Sequence, residues 1–441
     1  MRATRLVVVG ALAGSWSTTT LATTIRVPED YPTVLAGVDA SAAGDSVLIG
    51  PGTWVDAATR TVPIGNGQYA TVTSCAFVKG GTALIGVAGA GQTTIRQEGA
   101  GESPVAVLYA NHPGEDALLE GLTVVGGFDG RGVEGLFSGA LKIHGCVLTG
   151  TTSAANFIHT LRVDSCDLEV EDSEVRENST PITVDGGFSS VVLRRCRFFG
   201  NTGQSANCRG YANCQDHPWQ CRRALVEDCV FEKSGPVTFS DFAELMVHRN
   251  MFVRMTRDCD VTGLGVWACT GAIEFNTFAH DSILTLARSG AGLYADDFDG
   301  VVSNNTFYRC HGPFTGGAAA AVWSPRHAVF TNNLIVGTTG GPAVAVGGVL
   351  AATASCNDYW ENAAGNTGPY YPADAHDLFV DPLFCNAEGD DWSLRSTSPC
   401  ADGITPSCGR IGEYGVGCGP VSVEPMTWGK IKNSYRVERG K

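Results

Sequence analysis

Charged side chains are scarce in this 441-residue chain, at 17% of the total against roughly a quarter in an average soluble protein. The charge present leans acidic, with 45 Asp and Glu against 30 Lys and Arg and a net −15. That balance excludes nucleic acid as the expected partner, because backbone binding needs clustered cations. No apolar run approaches the ~18 residues of a membrane-spanning helix, so no transmembrane segment is expected. The chain also lacks heptads, a Ser–His–Asp signature and a phosphate-cradling Gly loop between strand and helix. It is not poor in core material: 44% is hydrophobic, too much for disorder. Its 56 glycines are many, yet too few for collagen.

The first residues have the order of a secretory signal. Arg2 and Arg5 are followed by an apolar stretch, Leu6 to Gly14, and by a small-residue cleavage site, Thr20-Leu21-Ala22. Residues 1–22 are therefore read as a signal peptide, whose removal takes the net charge from −15 to −17. All 16 cysteines lie beyond it, a number suited to an oxidising compartment. A protein secreted, or held at the cell surface or in the periplasm of a bacterial-type exporter, is expected.

The decisive feature is a repeat. Taking Leu122, Cys146, Ser173, Cys196, Cys229, Asn250, Asn276, Asn305, Asn333 and Asn357 as position zero, the spacings run from 21 to 33 residues. Three residues before zero stand Leu119, Ile143, Val170, Leu193, Val226, Val247, Ile273, Val302, Phe330 and Ala354. Two residues after stand Val124, Leu148, Val175, Phe198, Phe231, Phe252, Phe278, Phe307, Ile335 and Tyr359. All twenty are apolar. Short strands at such a period predict a solenoid of parallel strands stacked about 4.8 Å apart, with like residues on like. The phenylalanines then stack inside, and the asparagines form an amide ladder that satisfies buried backbone groups.

Two further stretches carry a resemblance. Thr24-Ile25-Arg26-Val27, Ala43-Gly44-Asp45-Ser46-Val47-Leu48-Ile49 and Pro51-Gly52-Thr53-Trp54 resemble the first coil of the right-handed parallel β-helix superfamily that includes pectate lyases. Cys356-Asn357-Asp358-Tyr359-Trp360, Asp381-Pro382-Leu383-Phe384-Cys385, Ser398-Pro399-Cys400 and Cys408-Gly409-Arg410-Ile411-Gly412 to Cys418 are similar to the end module of exported bacterial β-helix proteins. The resemblance implies an all-β, single right-handed parallel β-helix of about twelve turns over residues 23–355. Val34, Leu35 and Val38, at helical spacing between Pro32 and Ala42, predict a short capping helix. Residues 356–418 are expected to form a loop-rich, disulfide-stapled cap, and 419–441 a flexible basic tail that serves sorting or attachment.

The resemblance also implies carbohydrate-active chemistry. A lyase on an acidic, uronate-containing polysaccharide must neutralise the substrate carboxylate, abstract a proton and release the leaving sugar. Position +4 reads Lys233, Arg254, His280 and Arg309 on neighbouring turns, a basic stripe suited to an anionic chain. Arg254, His280 and Arg309 are the catalytic candidates, with Asp258 and Asp281 as orienting or calcium-binding groups. Lys233 is a substrate-binding candidate, as are Tyr211 and Trp219 on the Cys208–Cys221 insertion. A hydrolase would instead need two carboxylates roughly 5 to 9.5 Å apart, for which Asp296, Asp297 and Asp299 are the best cluster. Position −2, Glu120, His144, Glu171, Arg194, Glu227, His248 and Glu274, alternates acid and base and reads as a paired outer ladder. The alternative is a non-catalytic extracellular glycan-binding or adhesin-like rod, and in either reading the protein is expected to be a monomer.

Overall fold

The computed structural model describes residues 22–98, 103–152, 159–179, 181–185, 190–203, 206–209, 223–257, 262–283, 290–312, 317–323, 326–347, 352–368, 371 and 374–418. The signal-like residues 1–21, the tail 419–441, Tyr211, Trp219 and Asp258 lie outside them. Three long sheets of 13, 12 and 12 strands run along the molecule. Each turn of the chain visits the first, second and third sheet in order, and its strands pair in parallel with those of the next turn. Parallel crossovers of this kind are right-handed, so the fold is a right-handed parallel β-helix.

The two anchored apolar columns hold this register. Val170, Leu193, Val226, Val247, Ile273 and Val302 pair successively in the first sheet. Phe198, Phe231, Phe252, Phe278 and Phe307 pair in the second, with ring centroids 4.6–4.9 Å apart. Between these sheets the chain turns through a left-handed residue at position −1, and the position-zero side chain fills the bend. Asn276 Oδ1 accepts the backbone N–H of Asn250, Asn305 Oδ1 that of Asn276, and Asn333 Oδ1 that of Asn305, each at 3.0 Å. Cys146, Cys196 and Cys229 are buried thiols in the same column.

A second ladder stands at the next corner, at position +5. Thr151 N–H donates to Asn178 (3.1 Å), Asn178 N–H to Asn201 (3.1 Å), Met255 N–H to Asp281 (2.9 Å) and Thr338 N–H to Asn362 (3.0 Å). The residue before it, position +4, is again left-handed, with φ near 50° at Lys233, Arg254, His280 and Arg309.

Three further devices cover the rod. The helix Val34–Ala40, capped by Thr33 accepting from Ala36 N–H at 3.1 Å, buries Val34 and Val38 over the first coil. Gly37 is needed there, since a Cβ would lie 2.8 Å from Val27 Cγ2. The antiparallel hairpin of Ala58–Gly65 and Gln68–Val78 folds Val62, Ile64 and Val72 against Leu108, Leu136 and Phe137 on the outside of the third sheet. At the other end, disulfides Cys356–Cys408 and Cys385–Cys418 staple a loop-rich cap. Its Trp392, Leu394, Ala401 and Ile411 pack on Val253, Ala279, Tyr308, Leu334 and Val336 of the second sheet.

Candidate functional site

The basic stripe forms in register. Backbone N–H groups of Lys233, Arg254, His280 and Arg309 each bond to the turn above, at 2.8–3.1 Å. The cap lies against three of these four. Arg254 Nη2 is 2.5 Å from Asp390 Oδ2, and His280 Nε2 is 3.6 Å from Asp390 Oδ1. Arg309 grips Glu388, with Nη1 at 3.0 Å from Oε2. His280 also meets the Tyr308 ring edge-on at 5.3 Å, and burial, with Arg254 and Arg309 adding, depresses its pKa. Lys233 remains exposed.

Asp281 does not join this stripe. It is fully buried, replaces an amide in the second ladder, and burial pushes its pKa well up. Among the described residues no three His, Cys, Asp or Glu side chains converge to hold a metal ion. The acidic cluster divides over a corner: Asp296 ends a third-sheet strand, Asp297 binds Arg326 at 3.1 Å, and Asp299 opens a first-sheet strand.

The position −2 ladder is an ion-pair network. His144 stands 3.6 Å from Glu120 and 3.3 Å from Asp172, and Arg194 bonds Glu171 on one side and Glu227 at 3.0 Å on the other. Hydrogen bonding to Asp172 raises the His144 pKa, opposing desolvation. A hollow of about 360 Å³ lies beside it, floored by Gly121 and Gly145.

The outer face of the third sheet is different in kind. Arg209, Ser240, Trp267, Asp296 and Trp323 are register partners on five successive strands. Two residues earlier, Asn207, Thr238, Gly265 and Tyr294 form the neighbouring column. Gly265 carries no side chain between Thr238 and Tyr294. The Trp267 and Tyr294 rings meet there at 5.5 Å between centroids, and Trp323 lies over Gly347, where a Cβ would come 1.6 Å from its ring. All three rings are partly exposed.

Beside Trp267 opens a hollow of about 460 Å³, lined by Asn207, Arg209, Thr238, Ser240 and Asp241. Asp241 is set by a left-handed corner, with φ 63° and its N–H bonded to the Trp267 carbonyl at 3.0 Å. Thr238 Oγ1 donates to Asn207 Oδ1 at 3.2 Å, and Tyr294 Oη donates to Asp296 Oδ2 at 3.4 Å. Arg209 is exposed, and among the described residues it is in no ion pair, unlike Arg162, Arg194 and Arg249. Flat rings, amide and hydroxyl groups, one cation and two carboxylates around an open trough can stack a sugar ring and bond its hydroxyls.

The repeat fixes the register from position −3 to position +4 and does not extend to this face. The signal was present in Leu264-Gly265-Val266-Trp267, Leu293-Tyr294-Ala295-Asp296 and Ala320-Ala321-Val322-Trp323, which alternate inward apolar and outward residues.

No family model matches the chain, and no curated protein sequence matches it. Among solved structures, it is similar to the A-module of an Azotobacter vinelandii mannuronan C-5 epimerase, at 12% identity over 79% of this chain and 94% of that one, with a TM-score of 0.40. It is similar to a rhamnogalacturonan lyase at 11% identity, over 82% and 90% of the two chains, with a TM-score of 0.35. A pectate lyase matches at 11% identity over 87% and 90%, with a TM-score of 0.36.

Proposed function

We propose that this is an exported carbohydrate-active β-helix that binds an acidic polysaccharide along the outer face of its third sheet. The observation that carries the reading is the set of rings Trp267, Tyr294 and Trp323 on successive turns, beside a trough that contains Arg209 and Asp241. A sugar ring stacks on Trp267, Asn207 and Ser240 bond its hydroxyls, and Arg209 takes a uronate carboxylate. The repeat of about 4.8 Å per turn lets one chain meet several turns at once. The two cap disulfides support export, since such bonds persist in oxidising compartments.

The test is a titration of the purified protein with oligouronates and neutral oligosaccharides, followed by tryptophan fluorescence and calorimetry. Binding of the uronates, weakened about tenfold or more in Trp267→Ala and in Arg209→Gln, supports the proposal. Equal affinity in both variants removes the third sheet as the site. Cleavage of lyase type is read in the same samples, because it creates an unsaturated uronate that absorbs in the ultraviolet. In that event Arg254→Gln, His280→Gln and Arg309→Gln are measured beside the Arg209 and Trp267 variants.

A further inference from the structure

The outer face of the first sheet carries an apolar stripe. Val192, Leu225, Met246, Ala272, Val301 and Val329 are register partners across six neighbouring strands, and each is half-buried. Elsewhere the protein covers outer apolar columns with its own chain. The cap covers Val253, Ala279, Tyr308 and Leu334, and the hairpin covers Leu108 and Leu136. Among the described residues, no stripe member belongs to a packed apolar cluster. Charged columns flank it: Arg223, Glu244, Thr270, Asp299 and His327 on one side, Glu227, His248, Glu274, Ser303 and Thr331 on the other.

We propose that this face docks a second copy of the chain, the two rods lying antiparallel and face to face. The two-fold axis runs along the strand direction, between Glu244–His248 and Thr270–Glu274. Such an axis keeps each column opposite itself and reverses the order of its strands. Met246 then faces the second copy's Ala272, Leu225 its Val301, and Val192 its Val329, so the largest side chain of the stripe meets the smallest. Arg223 faces Asp299 of the second copy and His248 faces its Glu274, and an isologous interface makes each pair twice. This self-complementarity of charge around an apolar centre selects a second copy as the occupant.

The size sets the strength. Six strands about 4.8 Å apart and five residues of about 3.3 Å each give a footprint near 500 Å² per copy. About 1,000 Å² in total is the low end for specific interfaces, so a dimer with a dissociation constant in roughly the micromolar range is expected.

The experiment is sedimentation of the whole mature chain across a concentration range, with oligosaccharide binding on the third sheet as a separate control of folding. A dimer is expected, weakened at least about tenfold by Met246→Glu, which buries a charge at the centre. Arg223→Asp and Asp299→Arg each weaken it, and the double variant, which restores the pairing with signs exchanged, recovers it. A monomer at every concentration overturns the proposal. So does a dimer indifferent to Met246→Glu, or a double variant no tighter than the single ones. Loss of oligosaccharide binding with dimerisation intact bears only on the proposed function.

Discussion

Arg254 Nη2 lies 2.5 Å from Asp390 Oδ2, a contact between residues 136 apart that joins a coil turn to the turn between the antiparallel cap strands Phe384–Asn386 and Asp391–Leu394. The same carboxylate faces His280, and Glu388 takes Arg309. Two acids of the cap therefore neutralise the two guanidinium groups, and the Asp390 carboxylate also lies against His280. The cap has its own apolar contacts and two disulfides, so the ion pairs orient it more than they hold it.

From this follows the behaviour of Glu388→Gln with Asp390→Asn. Partly exposed pairs of this kind contribute at most about 1 kcal/mol each, so the melting temperature should change little. Arg254 and Arg309 lose their counter-charges, so retention on a polyanionic column and binding of polyuronates should rise above the parent's, more at low salt than at high salt. Unchanged retention would show that the cap still shields the stripe without its acids.

Asn305 sits at the centre of the amide ladder. Its Oδ1 accepts from Asn276 N–H at 3.0 Å and from Asn276 Nδ2 at 2.9 Å, and its Nδ2 donates to the Ile273 carbonyl and to Asn333 Oδ1, both at 2.9 Å. Asn305→Ala leaves a fully buried N–H and carbonyl without partners, at about 1–3 kcal/mol for each group. A clear drop in denaturant midpoint is expected, with Asn305→Ser intermediate because Ser173 fills the equivalent place, accepting Cys146 N–H at 3.0 Å.

The fold was legible because one side chain per turn repeats at three fixed positions, so stacking could be read from spacing alone. The inner columns, the Phe stack and the first ladder come from that regularity, the capping helix from the helical spacing of Val34, Leu35 and Val38, and the stapled cap from the resemblance of the end module. The covering of the stripe was not legible: Glu388 and Asp390 stand more than seventy residues from their partners, and no local pattern links them. Asp281 looked like one acid beside a basic stripe. Extending the repeat by one position, through Asn178, Asn201 and Asn362, places it in the second ladder. Trp267 and Tyr294 escaped because the connections to the third sheet vary in length, which breaks the register counted from position zero.

Gly347 is the position that tests the aromatic platform without touching it. A Cβ there would lie 1.6 Å from Trp323 Cε3, so Gly347→Val must displace the indole. Overpacking of this kind costs about 1–3 kcal/mol. The expected result is a shifted tryptophan emission, and weaker oligosaccharide binding than in the parent. Gly347→Val with Trp323→Ala should recover stability but not affinity. Recovery of both would mean that Trp323 takes no part in the site.

Two carboxyls, Asp281 fully buried and Glu413 half-buried, make stability depend on pH. Burial pushes Glu413 up to about 8, against the pull of the Thr277 and Tyr414 hydroxyls and of Arg410, with Asp228 adding slightly to the rise. Burial also raises Asp281, against the Met255 N–H bond. A carboxyl raised in the native state keeps a proton that the unfolded chain releases near pH 4. Its contribution is therefore complete below that pH, declines as pH rises through the native value, and then levels off. For Glu413 the decline runs from about 4.5 to about 8 and amounts to ~3–5 kcal/mol. Glu413→Gln should flatten the melting temperature over that window. Asp281→Asn supplies the ladder amide directly and should stabilise the protein by about 1–3 kcal/mol at pH 8, with a smaller gain at pH 4. Thermal unfolding at the two pH values measures both, and a gain for Asp281→Asn that is larger at pH 4 than at pH 8 would contradict a raised pKa at Asp281.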